Sequence, residues 1–297
     1  MIFNPQVKLA LHREFISFCE GNNVFPISIE LSISGMCQAA CRRCPSLSFR
    51  NKEMMSTPVT LRLLDELYDQ GTKSLVYVGG GEPTLHPDIK KIVKSCRIQQ
   101  GMFTNALAEI EYDPGKLSFV RVTMTDREIP KENLKKIRRS ARAGFRVNHI
   151  KGEEWKIEKA INLSDEYGYD YVQIVPALER GEIFTSETLD ISKYKSKKII
   201  VTDYKFDDQD KPREYTKCYG YNFVPFIWEN GNVTTCAYIR DDSRFILGNI
   251  NGQTLTEIIN KAKPSVDVAE ICQQCCKNHE INKLINNALA IEDKDFV

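Results

Sequence analysis

The sequence predicts an α/β fold built on a parallel sheet. Six short runs rich in β-branched residues recur between residues 27 and 177, and segments with helical spacing of apolar residues separate them. Strands that alternate with helices pair in parallel through right-handed crossovers. Cysteines follow directly on the first run and a glycine triplet on the second, at the strand ends where parallel α/β sheets place their ligands.

In chain order, residues 1–25 read as an N-terminal arm or short helix. "ISIELSI" (27–33) is the first strand and ends just before the first cysteine of the group. "TPVTLRLLDELYDQG" (57–71) is a helix, capped by Thr57, with proline in its first turn and glycine at its end. "SLVYVGG" (74–80) is the second strand, and "HPDIKKIVKSC" (86–96) the helix after it. "SCRIQQGMFTN" (95–105) and "LSFVRVTMT" (117–125) hold the third and fourth strands. The helix "PKENLKKIRRSARAG" (130–144) leads to "GFRVNHI" (144–150), and "EEWKIEKAINLSDEYG" (153–168) leads to "YDYVQIVPA" (169–177). Residues 178–217 are polar and read as a connector. "YNFVPFIWENGNVTTCAY" (221–238) is a β-hairpin around an Asn-Gly turn, and "TLTEIINKAK" (254–263) is a short helix. The expected division is an arm (1–25), a core (26–177), a connector (178–217) and a small C-terminal domain (218–297).

A chain of 297 residues can bury a substantial core. Its net charge of +1 gives no argument for nucleic acid or for an acidic partner. The basic segment 131–146 reads as a solvated helix face. The start, "MIFNPQVKLALHREF", has no long apolar run, so neither a signal peptide nor a membrane span is expected and the protein is placed in the cytoplasm. In that reducing compartment ten cysteines do not make a disulfide framework; grouped ones point to metal or redox chemistry.

Cys37, Cys41 and Cys44 form the first group, on the loop after strand one. Three thiolates can hold three irons of a [4Fe–4S] cube and leave the fourth iron open for a ligand. Zinc completed by a distant fourth residue is the alternative. The segment "YVGGGEPTLHP" (77–87) offers glycines that let backbone approach a ligand closely, and a carboxylate, Glu82, for an ammonium group.

Together the two motifs resemble the radical S-adenosylmethionine (SAM) superfamily, marked by CxxxCxxC after the first strand and GGEP after the second. Here these are Cys37, Cys41 and Cys44, and Gly80, Gly81, Glu82 and Pro83. The resemblance implies a partial (β/α)6 barrel over residues 25–177 and a SAM-binding [4Fe–4S] cluster. It implies SAM contacts at Thr104 and Asn105 near the ribose, and at Thr123 and Thr125 near the methionyl group. Arg43 stands where the family usually has an aromatic residue. The implied chemistry is reductive cleavage of SAM to a 5′-deoxyadenosyl radical that takes a hydrogen atom from a substrate carbon, with an electron donor such as a flavodoxin or ferredoxin as partner.

Cys218, Cys236, Cys272 and Cys275 form a second group, with Cys276 beside it. The hairpin turn is expected to bring Cys218 and Cys236 together across paired strands, with "CQQC" supplying two more ligands. A zinc ribbon fits that spacing as well. The pattern C-x12-G-x4-C, then "GNI", "LTEI" and CxxC, resembles the Twitch domain, a shortened SPASM domain, and implies one auxiliary [4Fe–4S] cluster. Two reactions follow. One is a two-electron oxidation with that cluster as electron acceptor. The other is a redox-neutral epimerisation with a cysteine hydrogen donor, Cys276 first and Cys19 or Cys96 otherwise. A small-molecule substrate is favoured, with a peptide or a nucleotide as alternatives. Tyr77, His86, His149, Gln173, Glu179, Arg180 and Tyr238 are the candidates for contacting it.

Overall fold

Each of the six expected runs forms a strand: β1 (Ser28–Ser32), β2 (Ser74–Val78), β3 (Gln99–Thr104), β4 (Phe119–Thr123), β5 (Ala143–His149) and β6 (Tyr171–Pro176). The computed structural model describes residues 4–41, 44, 46, 50–179, 182–183, 190, 194, 198–202, 214–240, 242–268 and 277–292. β1 to β6 pair in chain order and in parallel. Two short helices precede them, α1 (Pro5–Ala10) and α2 (Arg13–Cys19), where an arm or short helix was expected. The crossover helices are α3 (Thr57–Asp69), α4 (Ile89–Ser95), α5 (Lys131–Ile137) and α6 (Trp155–Glu166); between β3 and β4 there is only a 3-10 turn, Pro114–Lys116. Ser56, not Thr57, takes the cap position of α3, because Thr57 is already helical. Its hydroxyl donates instead to Asp88 Oδ2 (2.5 Å).

The sheet runs on past both ends of this core. Leu178–Glu179 and Glu182–Ile183 (β7 and β8) form a small antiparallel ribbon, and β9 (Ile199–Val201) then pairs in parallel with β6. The polar connector thus contributes a further parallel strand. At the other edge β11 (Phe226–Ile227) pairs in parallel with β1, although about two hundred residues separate them. The Asn-Gly turn follows, with Gly231 at φ +86°, and leads to β12 (Asn232–Thr234) and β13 (Ile246–Asn249), both antiparallel. The sheet order β13-β12-β11-β1-β2-β3-β4-β5-β6-β9 stays open between its ends, as a partial barrel does. A second small ribbon joins β10 (Lys217–Cys218) to β14 (Val266–Asp267). Helix α7 (Leu255–Lys261) starts at a Thr254/Glu257 capping box, and α8 (His279–Ala290) packs on α1 and α2.

Period-two alternation splits the strands into two faces. Ile29, Leu31, Leu75, Met102, Val120, Val122, Phe145, Val147, Val172 and Ile174 are fully buried against helix residues such as Leu63, Leu67, Ile92, Leu134 and Ile157. On the opposite, inner face Phe103, Arg121, Gly144 and Tyr171 form one row in register, and the polar Thr123, Arg146 and Gln173 the next. Four cations of the basic segment, on α5 and just past it, are paired on the surface. Lys135 pairs with Glu132, Lys136 with Glu109, Arg138 with Asp170 and Arg139 with Asp113. No helix among the described residues is long and apolar enough to cross a membrane.

Candidate active site

The first cysteine group lies on a loop whose base is closed by backbone. Gly35 N donates to Glu53 O (2.9 Å) and Met55 N to Ile33 O (3.1 Å), so the loop leaves and rejoins the end of β1 at one point. Cys37, Cys41 and Cys44 are half-buried thiols. They lie close enough for charge on one to bear on the others, and burial pushes the Cys37 and Cys41 thiols up. Arg50 reaches into the loop, where it donates from Nη1 to Ala39 O (2.5 Å) and bonds to Cys44. This cation beside three thiols was not identified from the sequence, because no spacing rule ties it to them.

The glycine segment lies directly along the entry to this loop. Gly81 N donates to Ser34 O (3.0 Å) and Glu82 N to Met36 O (2.6 Å). A Cβ on Gly81 would stand 2.1 Å from Met36 O. The close approach expected of this glycine is therefore to the cysteine loop's own backbone. Pro83 opens a 3-10 turn that Glu82 caps. Glu82 is 3% exposed. Its Oε1 accepts from Thr84 N (3.2 Å), Thr84 Oγ1 (2.8 Å) and Thr104 Oγ1 (2.6 Å), and its Oε2 from Asn105 N (2.7 Å). Burial nevertheless holds its carboxyl above the ordinary range. Three of these donors share Oε1 and only one reaches Oε2, so the less occupied oxygen is Oε2.

Thr104 and Asn105 brace this carboxylate and join it to the cysteines. Asn105 Nδ2 donates to Cys37 Sγ (3.5 Å), and its Oδ1 accepts from Gln38 Nε2 (3.3 Å). The chain turns sharply just after. Ala106 is fully buried at φ +56°, a left-handed conformation that costs an L-residue roughly 1–2 kcal/mol. Thr104 Oγ1 accepts from Ala106 N (2.9 Å), and Asn133 Nδ2 donates to Ala106 O (2.8 Å). Such strain persists where the surroundings over-determine it, commonly at functional sites. On the inner face, Thr123 pairs in register with Arg146. Thr125 Oγ1 accepts from Arg127 N (3.2 Å) in a local turn.

The donor set suits an iron–sulfur cluster with SAM: soft thiols for iron, and a buried carboxylate, Glu82, as acceptor for the amino group. As they stand, no three His, Cys, Asp or Glu side chains among the described residues converge on a single metal ion.

The second cysteine group is placed in part. Cys218 is on β10, paired with β14 (Cys218↔Val266), whereas the hairpin strands are β11 and β12. The expectation that the turn pairs Cys218 with Cys236 across one ladder is thus corrected: a 3-10 turn at Gly220–Asn222 diverts the chain before the hairpin starts. Asn282 Nδ2 donates to Cys218 Sγ (3.3 Å), and its Oδ1 accepts from Tyr219 N and Gly220 N (2.8 and 2.9 Å). Lys277 Nζ pairs with Glu30 Oε2 on β1 (2.8 Å). The chain just beyond the tail cysteines thus returns to Cys218 and to the sheet. Cys272, Cys275 and Cys276 lie outside the described residues, as do Arg43, Arg180 and the side chain of Glu179.

Among the other candidates, Tyr77 belongs to the helix-side core and donates to Gln100 Oε1 (3.1 Å). His86 uses both ring nitrogens locally, with Met55 O (2.8 Å) and Asp88 N (3.1 Å). His149 is buried at the end of β5, and Tyr238 lies in the turn past Cys236. Gln173 is on the inner face, where Nε2 donates to Thr202 Oγ1 (3.0 Å). Cys96 packs against the helix-side core and Cys19 into the cluster formed with α8.

Residues 31–174 match the model of the Radical SAM superfamily. No curated protein matches the chain. Among solved structures, Streptococcus suis SuiB bound to precursor peptide SuiA superposes with a TM-score of 0.64 at 15% identity, over 93% of this chain and 73% of that one. SuiB bound to S-adenosylmethionine gives 0.61 at 16% identity, over 87% and 71%. Native anSMEcpe with bound AdoMet and Cp18Cys peptide gives 0.55 at 17% identity, over 87% and 88%. At these identities the likeness is one of fold.

Proposed function

From the radical SAM domain that spans residues 31–174, we propose that this protein is an enzyme that uses S-adenosylmethionine to take a hydrogen atom from a substrate carbon. Cys37, Cys41 and Cys44 would hold a [4Fe–4S] cluster with one open iron. Bound there, cluster and SAM supply a 5′-deoxyadenosyl radical by reductive cleavage of the sulfonium bond. The observation that carries this reading is the contact between the two loops. Backbone bonds from Gly81 and Glu82 to residues 34–36 set a buried carboxylate beside the thiols, and Asn105 bridges Glu82 and Cys37. Glu82 Oε2 then receives the ammonium of SAM, and the Thr123 row of the inner face orients the rest of the molecule.

Cys218, Cys236, Cys272 and Cys275 would hold a second, fully ligated [4Fe–4S] cluster in a Twitch-like region, residues 218–297. In support, residues 277–282 pack on Cys218 and its neighbours. The reaction suited to two such sites would be a net two-electron oxidation, in which the substrate radical would lose a proton and the second cluster, when bound, would serve as acceptor of its electron. Thiolate-ligated clusters of this kind suit the cytoplasm, where a flavodoxin or ferredoxin supplies the first electron. Epimerisation would use Cys276; Cys19 and Cys96, packed off the inner face, are poorly placed for it. A small molecule is the favoured substrate. The peptides named with SuiB and anSMEcpe favour a peptide as the second reading.

Iron content tests the two-cluster reading. Anaerobically reconstituted protein should hold about eight irons, and the Cys37/Cys41/Cys44 triple alanine variant about four. Stoichiometric zinc in oxygen-protected protein would contradict the second cluster.

A further inference from the structure

Glu229, next to the hairpin turn, carries a fully buried carboxylate: its side chain is 0% exposed. It does not lie on either motif. Its Oε2 accepts from Ser32 Oγ (2.8 Å), and its Oε1 from Asn51 Nδ2 (2.8 Å) and Arg240 Nη2 (3.0 Å). These three donors come from three separate places. Ser32 ends β1, and its Oγ also accepts from Gly80 N (3.1 Å), the first glycine of GGEP. Asn51 lies on the return arm of the cysteine loop, next to Arg50, and its Oδ1 accepts from Glu53 N (2.7 Å). Arg240 follows Cys236 by four residues and also pairs with Glu53 Oε2 (2.8 Å). Gly80 itself sits on the wall made by Glu229 and Trp228: a Cβ there would stand 3.3 Å from Glu229 Oε2 and 3.2 Å from the indole.

We propose that Glu229 is a positioning residue that latches the cysteine loop, the GGEP loop and the Cys236 segment to one another, so that SAM meets both loops in a fixed relation. The proposal rests on the radical SAM reading above. The chemistry requires a carboxylate. An amide at this position can keep Asn51 and Arg240 on its oxygen only as neutral, weaker bonds, and its NH2 then faces Ser32 Oγ, whose hydroxyl must turn away toward Ser34 O, so the charge that ties the three anchors together is lost. Charge-assisted bonds inside a buried site are the strong class, and loss of one partner leaves the others unpaired.

Equilibrium binding of SAM to the anaerobically reconstituted full-length protein tests this, together with the EPR signal of the reduced cluster with and without SAM. Glu229→Gln should keep its iron but bind SAM about tenfold or more weakly, and need correspondingly more SAM to change the EPR signal. Ser32→Ala, which removes the hydroxyl that joins Glu229 Oε2 to Gly80 N and leaves the Asn51 and Arg240 anchors in place, should move both readouts in the same direction. The double variant Glu229→Met/Arg240→Met removes both buried charges, so its folding should recover while its SAM affinity stays low, because the Ser32 and Asn51 anchors are still gone. That double variant decides the matter should Glu229→Gln fail to fold. Wild-type affinity and EPR response in Glu229→Gln would overturn the proposal. So would a double variant that regains both stability and affinity, since Glu229 would then only neutralise Arg240. Wild-type protein that binds neither cluster nor SAM would instead remove the radical SAM reading, before any substitution is made.

Discussion

Glu82 shows how single residues set this site. Four donors converge on one carboxylate, yet burial outweighs them and holds its pKa above the ordinary carboxyl value. A folded-state pKa above the unfolded one gives stability that is fully present below the ordinary value and is lost as pH rises through the folded pKa. A bound ammonium favours the ionised form and opposes that loss. Affinity for SAM should therefore rise as pH passes through the raised pKa of Glu82 and level off above it. In Glu82→Gln this rise should vanish, and affinity should fall by roughly 1.5–3 kcal/mol, the value of a charged hydrogen bond. Titration calorimetry across pH checks both, and a flat profile in the wild type would show that Glu82 does not meet the ammonium. The motif itself was legible in the sequence; the TN pair was marked only as a ribose contact, and the bracing of Glu82 by Thr84, Thr104 and Asn105 left no local signal. Arg50, Asn133 and Glu229 left no local signal, because each acts on residues distant in sequence.

At the scale of elements, the two loops depend on backbone meeting backbone. Gly81 cannot carry a Cβ without displacing Met36 O, a main-chain atom held by Glu82 N. Gly80 faces side-chain atoms of Trp228 and Glu229 at 3.2 and 3.3 Å, not the main chain of the cysteine loop. Gly81→Ala should therefore lower iron loading at the first cluster and SAM affinity together, whereas Gly80→Ala should act mainly on SAM affinity. Iron analysis beside SAM binding separates the two, and equal losses in both variants would contradict the assignment. Six strands were readable because β-branched runs alternate with capped helices. The short β9 was hidden in a polar stretch with only Ile199, Ile200 and Val201 to mark it. The Asn-Gly turn identified a hairpin, but nothing in residues 221–238 says that β11 pairs with β1. Strand partners far apart in sequence are chosen by packing, not by local pattern.

In the whole molecule, the C-terminal segment completes the sheet and is not a separate appendage to it. Ser28 N donates to Phe223 O (3.0 Å) and Glu30 N to Pro225 O (3.2 Å), which covers the β1 edge. Ile227, Val233, Leu255 and Ile258 belong to the same buried cluster as β1 to β6. A chain cut after residue 216 would expose that edge and core face together, a template for aggregation. It should be insoluble or bind the dye ANS, and show no cooperative melting transition. A truncated chain with a cooperative transition would show that the two halves fold independently.

The proposed function requires the first cysteine loop and the GGEP loop to act as one SAM site. The most direct measurement is product analysis after reduced, anaerobically reconstituted protein is incubated with SAM. 5′-Deoxyadenosine and methionine should form in equal amounts, slowly even without substrate, and neither product should form with the Cys37/Cys41/Cys44 triple alanine variant. Protein with a reducible four-iron cluster in that loop that forms no 5′-deoxyadenosine, with or without added candidate substrates, would contradict the proposed function.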